Sequence, residues 1–212
     1  MTIKMGGVRI TGGGGGGGIP APQTILGVGD PYFNNVSLLL HGDSDFNDSS
    51  DNTKTITALG SNCSIDTSVK KFGAGSMRFN PQTDSYVRYA DSSDFELGSD
   101  DFTIEMWMKL NSYGTQVVYS DWRTCILDTR SNYNSGAIVL LTTTGNLVLF
   151  DAGVNQEIYR TSSSITLGTW HHIVIQRSGA TMRAFFDGVS QNISANLDRK
   201  STRLNSSHVS ES

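Results

Sequence analysis

The sequence predicts an all-β protein, a two-sheet antiparallel β-sandwich of the jelly-roll kind. Three observations carry that prediction. Apolar and polar residues alternate with a period of two in several short runs, so each run offers one face to a core and one to water. Those runs are bounded by clusters of Gly, Asn, Asp and Ser, which make turns. Finally, only 17% of residues are charged, against ~25% in ordinary soluble domains. Ser, Thr, Asn and Gly fill the difference, a balance that suits strands and turns rather than long helices. No stretch carries a sustained helical stripe.

The clearest strand lies at residues 102–109, where Phe102, Ile104, Met106 and Met108 alternate with Thr103, Glu105, Trp107 and Lys109. Further runs are expected at Val36–His41, Ser76–Phe79, Tyr86–Ala90, Gln116–Tyr119, Ala137–Thr142, Asn146–Phe150, His171–Gln176 and Met182–Phe186. Thr144-Gly145-Asn146 and Ser178-Gly179 fall between paired runs and read as hairpin turns. Leu38, Leu40, Phe79, Phe102, Ile104, Met106, Ile173, Ile175 and Phe185 are the expected inward positions. The block from 31 to 197 is long enough for one two-sheet core, because a chain of ~150 residues buries ~70% of its extended surface.

The two ends are compositionally separate from that block. Eleven of the 23 glycines fall in residues 1–30, seven of them consecutive from Gly12 to Gly18. Such a run loses much backbone entropy on ordering and buries no side chain. Residues 1–30 are therefore expected to be a flexible leader or linker. No apolar stretch of signal-peptide length follows its basic residues, and no Gly-Lys-Ser/Thr follows its glycines, so a phosphate-binding loop is excluded. At the other end, Asp198 to His208 reads codon for codon as the translation of a common sequencing adapter. Residues 198–212 are expected to be a non-native, disordered tail, with the natural frame interrupted near Leu197.

A net charge of −4 gives no basic footprint for nucleic acid. No apolar run approaches the ~20 residues of a membrane-spanning helix.

Four stretches in order carry a family resemblance. They are Val36-Ser-Leu-Leu-Leu-His-Gly-Asp43, Lys71-Phe-Gly-Ala-Gly-Ser-Met-Arg-Phe79, Asp101-Phe-Thr-Ile-Glu-Met-Trp107 and Gly168-Thr-Trp-His-His-Ile-Val174, the last followed by Phe186-Asp-Gly-Val189. Together they resemble the laminin-G-like branch of the concanavalin A-like lectin/glucanase superfamily. The resemblance implies a jelly roll of two curved antiparallel sheets. The chain departs from the pattern at Phe79-Asn80-Pro81, where members often carry Phe-Asp-Gly. Members also continue past the second Phe-Asp-Gly into further closing strands. The adapter reading implies that this sandwich is incomplete at its C-terminus, with a sheet edge exposed.

Glycoside hydrolysis needs two carboxylates at a set separation. The related glucanases carry Glu-x-Asp-x-x-Glu on one strand. The four glutamates here, Glu96, Glu105, Glu157 and Glu211, do not head that pattern. Glu105 is better read as the partner of a polar group at a sheet margin. His171 and His172 are strand neighbours and face opposite ways, so they do not share one ion easily. His41 stands alone.

Asp43, Asp45 and Asn47 match the first, third and fifth positions of a Ca²⁺ loop, but Asp48 and Lys54 break the later positions. A rim Ca²⁺ site built on Asp43, Asp45 and Asp48 competes with a solvated turn in which these side chains bond the backbone. Cys63 and Cys125 are the only cysteines. They show no zinc spacing, and both a disulfide and two free thiols remain open.

Tyr119, Asp121, Trp122, Arg123 and Tyr133 gather around one irregular stretch. Aromatic faces beside hydrogen-bonding groups suit a sugar ring; the alternative is that Trp122 covers the edge of the core. The sequence thus leads to a non-catalytic recognition module for a glycan or surface polymer, in an extracellular or virion assembly. Homo-oligomers or other virion proteins are the partners that setting implies. A spacer domain of a phage tail-associated protein is the alternative reading, and a glycoside hydrolase the second.

Overall fold

The computed structural model describes residues 3–12, 33–80, 84–97, 100–113, 122–130, 136–151 and 156–194. Among them are fifteen strands: β1 (Ile3–Gly12), β2 (Val36–Leu40), β3 (Ile56–Leu59), β4 (Cys63–Asp66), β5 (Ser76–Phe79), β6 (Val87–Tyr89), β7 (Phe102–Leu110), β8 (Trp122–Asp128), β9 (Ala137–Thr142), β10 (Asn146–Asp151), β11 (Gln156–Ser164), β12 (Trp170–Ser178), β13 (Thr181–Phe186), β14 (Val189–Ser190) and β15 (Ile193–Ser194). The first sheet runs β14-β13-β12-β7-β1-β5-β4, with β2 also paired to β1. The second runs β15-β11-β10-β9-β8, and β3 pairs with β6 in a separate ribbon. Every pairing is antiparallel.

β7 shows why these residues fold this way. Phe102, Ile104, Met106, Met108 and Leu110 are buried, while the four residues between them are half exposed. Fully burying one such side chain contributes roughly 1.5–3 kcal/mol, so the alternation fixes which face turns inward. Ile173 and Ile175 of β12 continue the same inner face, in register with Met106 and Ile104. Val139, Leu141, Leu147, Leu149 and Tyr159 supply the opposing face from the second sheet. The two expected hairpins form, β9–β10 with Gly145 at φ 84° and β12–β13 with Gly179 at φ 57°. Both are left-handed conformations that glycine adopts without penalty.

Four sequence expectations change. Residues 3–12 are not a leader: they form β1, which lies inside the first sheet between β7 on one side and β2 and β5 on the other. Its alternation is interrupted by Gly6-Gly7, which hides it from a period-two reading. Phe185 does not point inward. Ala184 and Phe186 do, because Phe186 pairs with the buried Ile173. Two adjacent phenylalanines leave that phase ambiguous. The stretch from Trp122 to Asp128 is a strand, β8, whose pairing with β9 shifts register twice, between Trp122 and Thr124 and between Cys125 and Leu127. β3, β4 and β11 form where no run was expected. Gln116–Tyr119, residues 13–30 and the tail 198–212 lie outside the described residues.

Candidate functional site

A cleft of about 750 Å³ lies between β6 and β8. β8 ends the second sheet and β6 pairs only with β3 among the described strands, so the sandwich parts at this margin. Its floor is the inner face of the first sheet, with Leu38, Leu40, Met77, Phe79 and Met106. Tyr86, Arg88 and Asp91 line it from the β6 side, and Asp128, Thr129 and Arg130 from the end of β8.

The polar groups around this cleft are held in place. Arg130 grips the Asp128 carboxylate with two parallel bonds, Nε to Oδ1 at 2.9 Å and Nη2 to Oδ2 at 2.6 Å. That fork geometry is specific to arginine. The Arg88 guanidinium lies 5.6 Å from the centre of the Tyr86 ring, within cation–π range. Tyr86 itself is 41% exposed, enough to offer ring surface to a ligand. The Tyr89 hydroxyl donates to the Phe46 carbonyl. Burial, and then the negative charges of Asp48 and Asp45, push its phenol upward, so it stays a donor at ordinary pH. An apolar floor with fixed donors and acceptors at the mouth is the combination found in sites for small ligands.

β8 carries Trp122 and Arg123, two of the five residues of the aromatic cluster expected from the sequence. Both open the strand whose far end, Cys125 to Asp128, lines the cleft together with the following Thr129 and Arg130. Tyr119, Asp121 and Tyr133, and the side chains of Trp122 and Arg123, lie outside the described residues. Tyr86, Arg88, Asp91, Asp128 and Arg130 were missed because no motif joins them; only the fold brings β6 and β8 together.

The proposed Ca²⁺ ligands Asp43, Asp45 and Asp48 do not converge. Asp48 is buried, and its carboxylate accepts from the backbone N–H groups of Leu39, Ser50 and Lys54 and from the Ser50 hydroxyl, at 2.7–2.9 Å. Four donors occupy the lone pairs a cation would need. Asp43 accepts from the Ala74 N–H at 2.9 Å, and Asp45 from the Asn47 N–H at 3.0 Å. Among the described residues no group of three or more His, Cys, Asp or Glu is arranged to hold a metal ion. These residues do not fit a Ca²⁺ site; they organise the loop and dock it on the next one. Gly73, at φ 61°, lies so near Asp43 that a Cβ there would fall 1.9 Å from Oδ1.

His171 and His172 have separate partners, as strand alternation requires. The His171 ring bridges the Thr166 hydroxyl at Nε2 and the Asp187 carboxylate at Nδ1, both 2.7 Å. Asp187 also accepts the His172 N–H at 2.8 Å. Hydroxyl, imidazole and carboxylate stand in the order of a nucleophilic relay, but here they clasp the start of β12 to the turn after β13. Burial raises the Asp187 carboxyl, yet the His172 N–H, the His171 bond and the charge of both imidazoles outweigh it and hold the group below its usual range. On the outer face, His172 stacks on Trp107 at 5.1 Å and Phe72 meets the same ring edge-on at 5.3 Å. Glu105 lies 3.8 Å from His172 Nε2, which suits the polar-partner role expected of it.

A laminin G-type family model, described as the concanavalin A-like lectin/glucanases superfamily, matches residues 81–209. The match begins after β5 and runs past Leu197. No curated protein and no solved structure matches the chain.

Proposed function

Since the chain belongs to the concanavalin A-like lectin/glucanases superfamily, we propose that it is a non-catalytic module that recognises a glycan or surface polymer outside the cell or on a virion. The cleft between β6 and β8 carries this reading. Its floor is apolar, its mouth holds the Arg88–Tyr86 pair and the Arg130–Asp128 fork, and its volume of about 750 Å³ falls in the ~300–1,000 Å³ range of small-ligand sites. Sugar C–H faces pack on such a ring while hydroxyls bond the fixed charges. Recognition is favoured over hydrolysis because, of the two carboxylates that line the cleft, Asp91 and Asp128, the second is held in the Arg130 fork rather than free for acid or base work, and Glu105 faces away from it, beside His172.

A glycan array probed with the full chain, with and without added Ca²⁺, tests the proposal. Binding should occur in both conditions, and Tyr86→Ala and Arg88→Ala should each weaken it about tenfold, in line with the loss of one stacked or charged contact of ~1.4 kcal/mol. Absence of binding across the array, or binding that both variants leave intact, would overturn it.

A further inference from the structure

We propose that β1 is an exchangeable strand, which two copies of this chain trade so that each closes the other's first sheet. β1 is interior to that sheet. Its residues pair with β7 from Ile3↔Leu110 to Gly12↔Phe102, and on the other side with β5 at Ile3–Met5 and with β2 at Val8–Thr11. Without it, one edge of β7 and the facing edges of β2 and β5 present unpaired main-chain groups, which recruit a strand.

The slot is specific for this segment. Between Met5↔Met108 and Val8↔Met106, two residues of β1 oppose one of β7, a bulge that fixes the register. The two are Gly6 and Gly7, and the one is Trp107.

The connection does not require the strand to come from its own chain. Thr11 and Val36 are cross-strand partners, so a hairpin of ~2–5 residues would join β1 to β2. The sequence instead places 20 residues, 13–32, between Gly12 and Phe33. A connection of that many residues can span at most ~70 Å, enough to reach a neighbouring copy. Closure within one chain weakens as roughly the −3/2 power of connection length, so this linker closes about tenfold less effectively than one of about four residues. An effective concentration on the order of 1 mM follows. Exchange therefore competes with self-closure when copies are crowded to about that concentration, and the shared strand then links them with no new contact surface.

Mixing two single-cysteine copies tests this. Arg9 and Glu105 are cross-strand partners. With Cys63→Ser and Cys125→Ser in the background, one full-length copy carries Arg9→Cys and the other Glu105→Cys. The copies are unfolded, mixed, refolded and oxidised. At ~1 mM a sizeable fraction should form a covalent dimer holding one copy of each variant, and at ~1 µM about a thousandfold less. Replacing residues 13–32 by a four-residue Asn-Gly turn should lower the dimer about tenfold. The proposal is overturned if no mixed dimer forms at ~1 mM while a chain carrying both Arg9→Cys and Glu105→Cys closes its own disulfide. It is equally overturned if that doubly substituted chain closes none, since β1 would then not occupy the slot.

Discussion

Asp48 shows how one side chain can carry a loop. Its carboxylate meets three backbone N–H groups and one hydroxyl inside the protein. Asp48→Ala strands those donors, each costing ~1–3 kcal/mol where it stays dry. Partial relaxation leaves an expected loss of about 2–4 kcal/mol, read as a lower urea midpoint at unchanged slope. Millimolar Ca²⁺ should not move the wild-type midpoint; a rise would mean that a cation binds the folded state after all. Tyr159 presents the opposite case. It is 1% exposed and its hydroxyl has no hydrogen-bond partner among the described residues, so the hydroxyl is a desolvated group with no return. Tyr159→Phe should leave stability unchanged or raise it by up to about 1 kcal/mol; a loss beyond that in the same urea titration would show that the hydroxyl has a partner. The sequence displays Asp48 as an oxygen donor and Tyr159 as an aromatic residue. It does not display which hydrogens each one meets, because Leu39 and Lys54 reach Asp48 only through the folded loop.

At the scale of elements, alternation was legible wherever one face of a strand is buried and the other wet. β7 and β12 follow from it directly, whereas the β9–β10 hairpin shows as two continuous apolar runs about Gly145, and β10 is buried on both faces. Alternation failed where that contrast is missing. β8 mixes Trp, Arg, Thr, Cys, Ile and Leu without a clean phase, and β13 ends in two phenylalanines of which only the register with Ile173 selects Phe186. β1 is interrupted by its bulge. The clasp between β12 and the turn after β13 also lies at this scale, since His171 and Asp187 are 16 residues apart. The Asp187 carboxyl is held below its ordinary value near 3.9. Its contribution is thus complete above that pH and is lost as pH falls through the lower folded value, where the folded state must take up the proton too. Asp187→Asn keeps a residue that tolerates the positive φ of 52° but removes the charge. Melting temperatures measured from pH 5 down to pH 2 should fall less steeply for this variant than for the wild type. Parallel curves would mean that the clasp adds nothing to acid stability.

For the whole molecule, the sequence indicates two layers but not their partners, because a period of two says which face is buried and nothing about which strand lies alongside. The cleft between β6 and β8 and the interior place of β1 both come from that hidden pairing. The pairing has a mechanical consequence. The inner faces of the two sheets form one continuous core, joining Ile175 of β12 to Leu147 of β10 through a shared cluster. Both side chains are fully buried, so Ile175→Ala and Leu147→Ala should each cost ~2–5 kcal/mol. Because the layers share one core, each substitution should lower the stability of both sheets together. Trp107 and Trp170 stand in the first sheet, so tryptophan fluorescence weights that layer, while far-UV circular dichroism averages over all strands. For the wild type and both variants the two signals should trace one coincident urea transition. If Leu147→Ala instead splits them, with dichroism falling before fluorescence, the second sheet melts on a base that stays folded, and the core does not couple the layers.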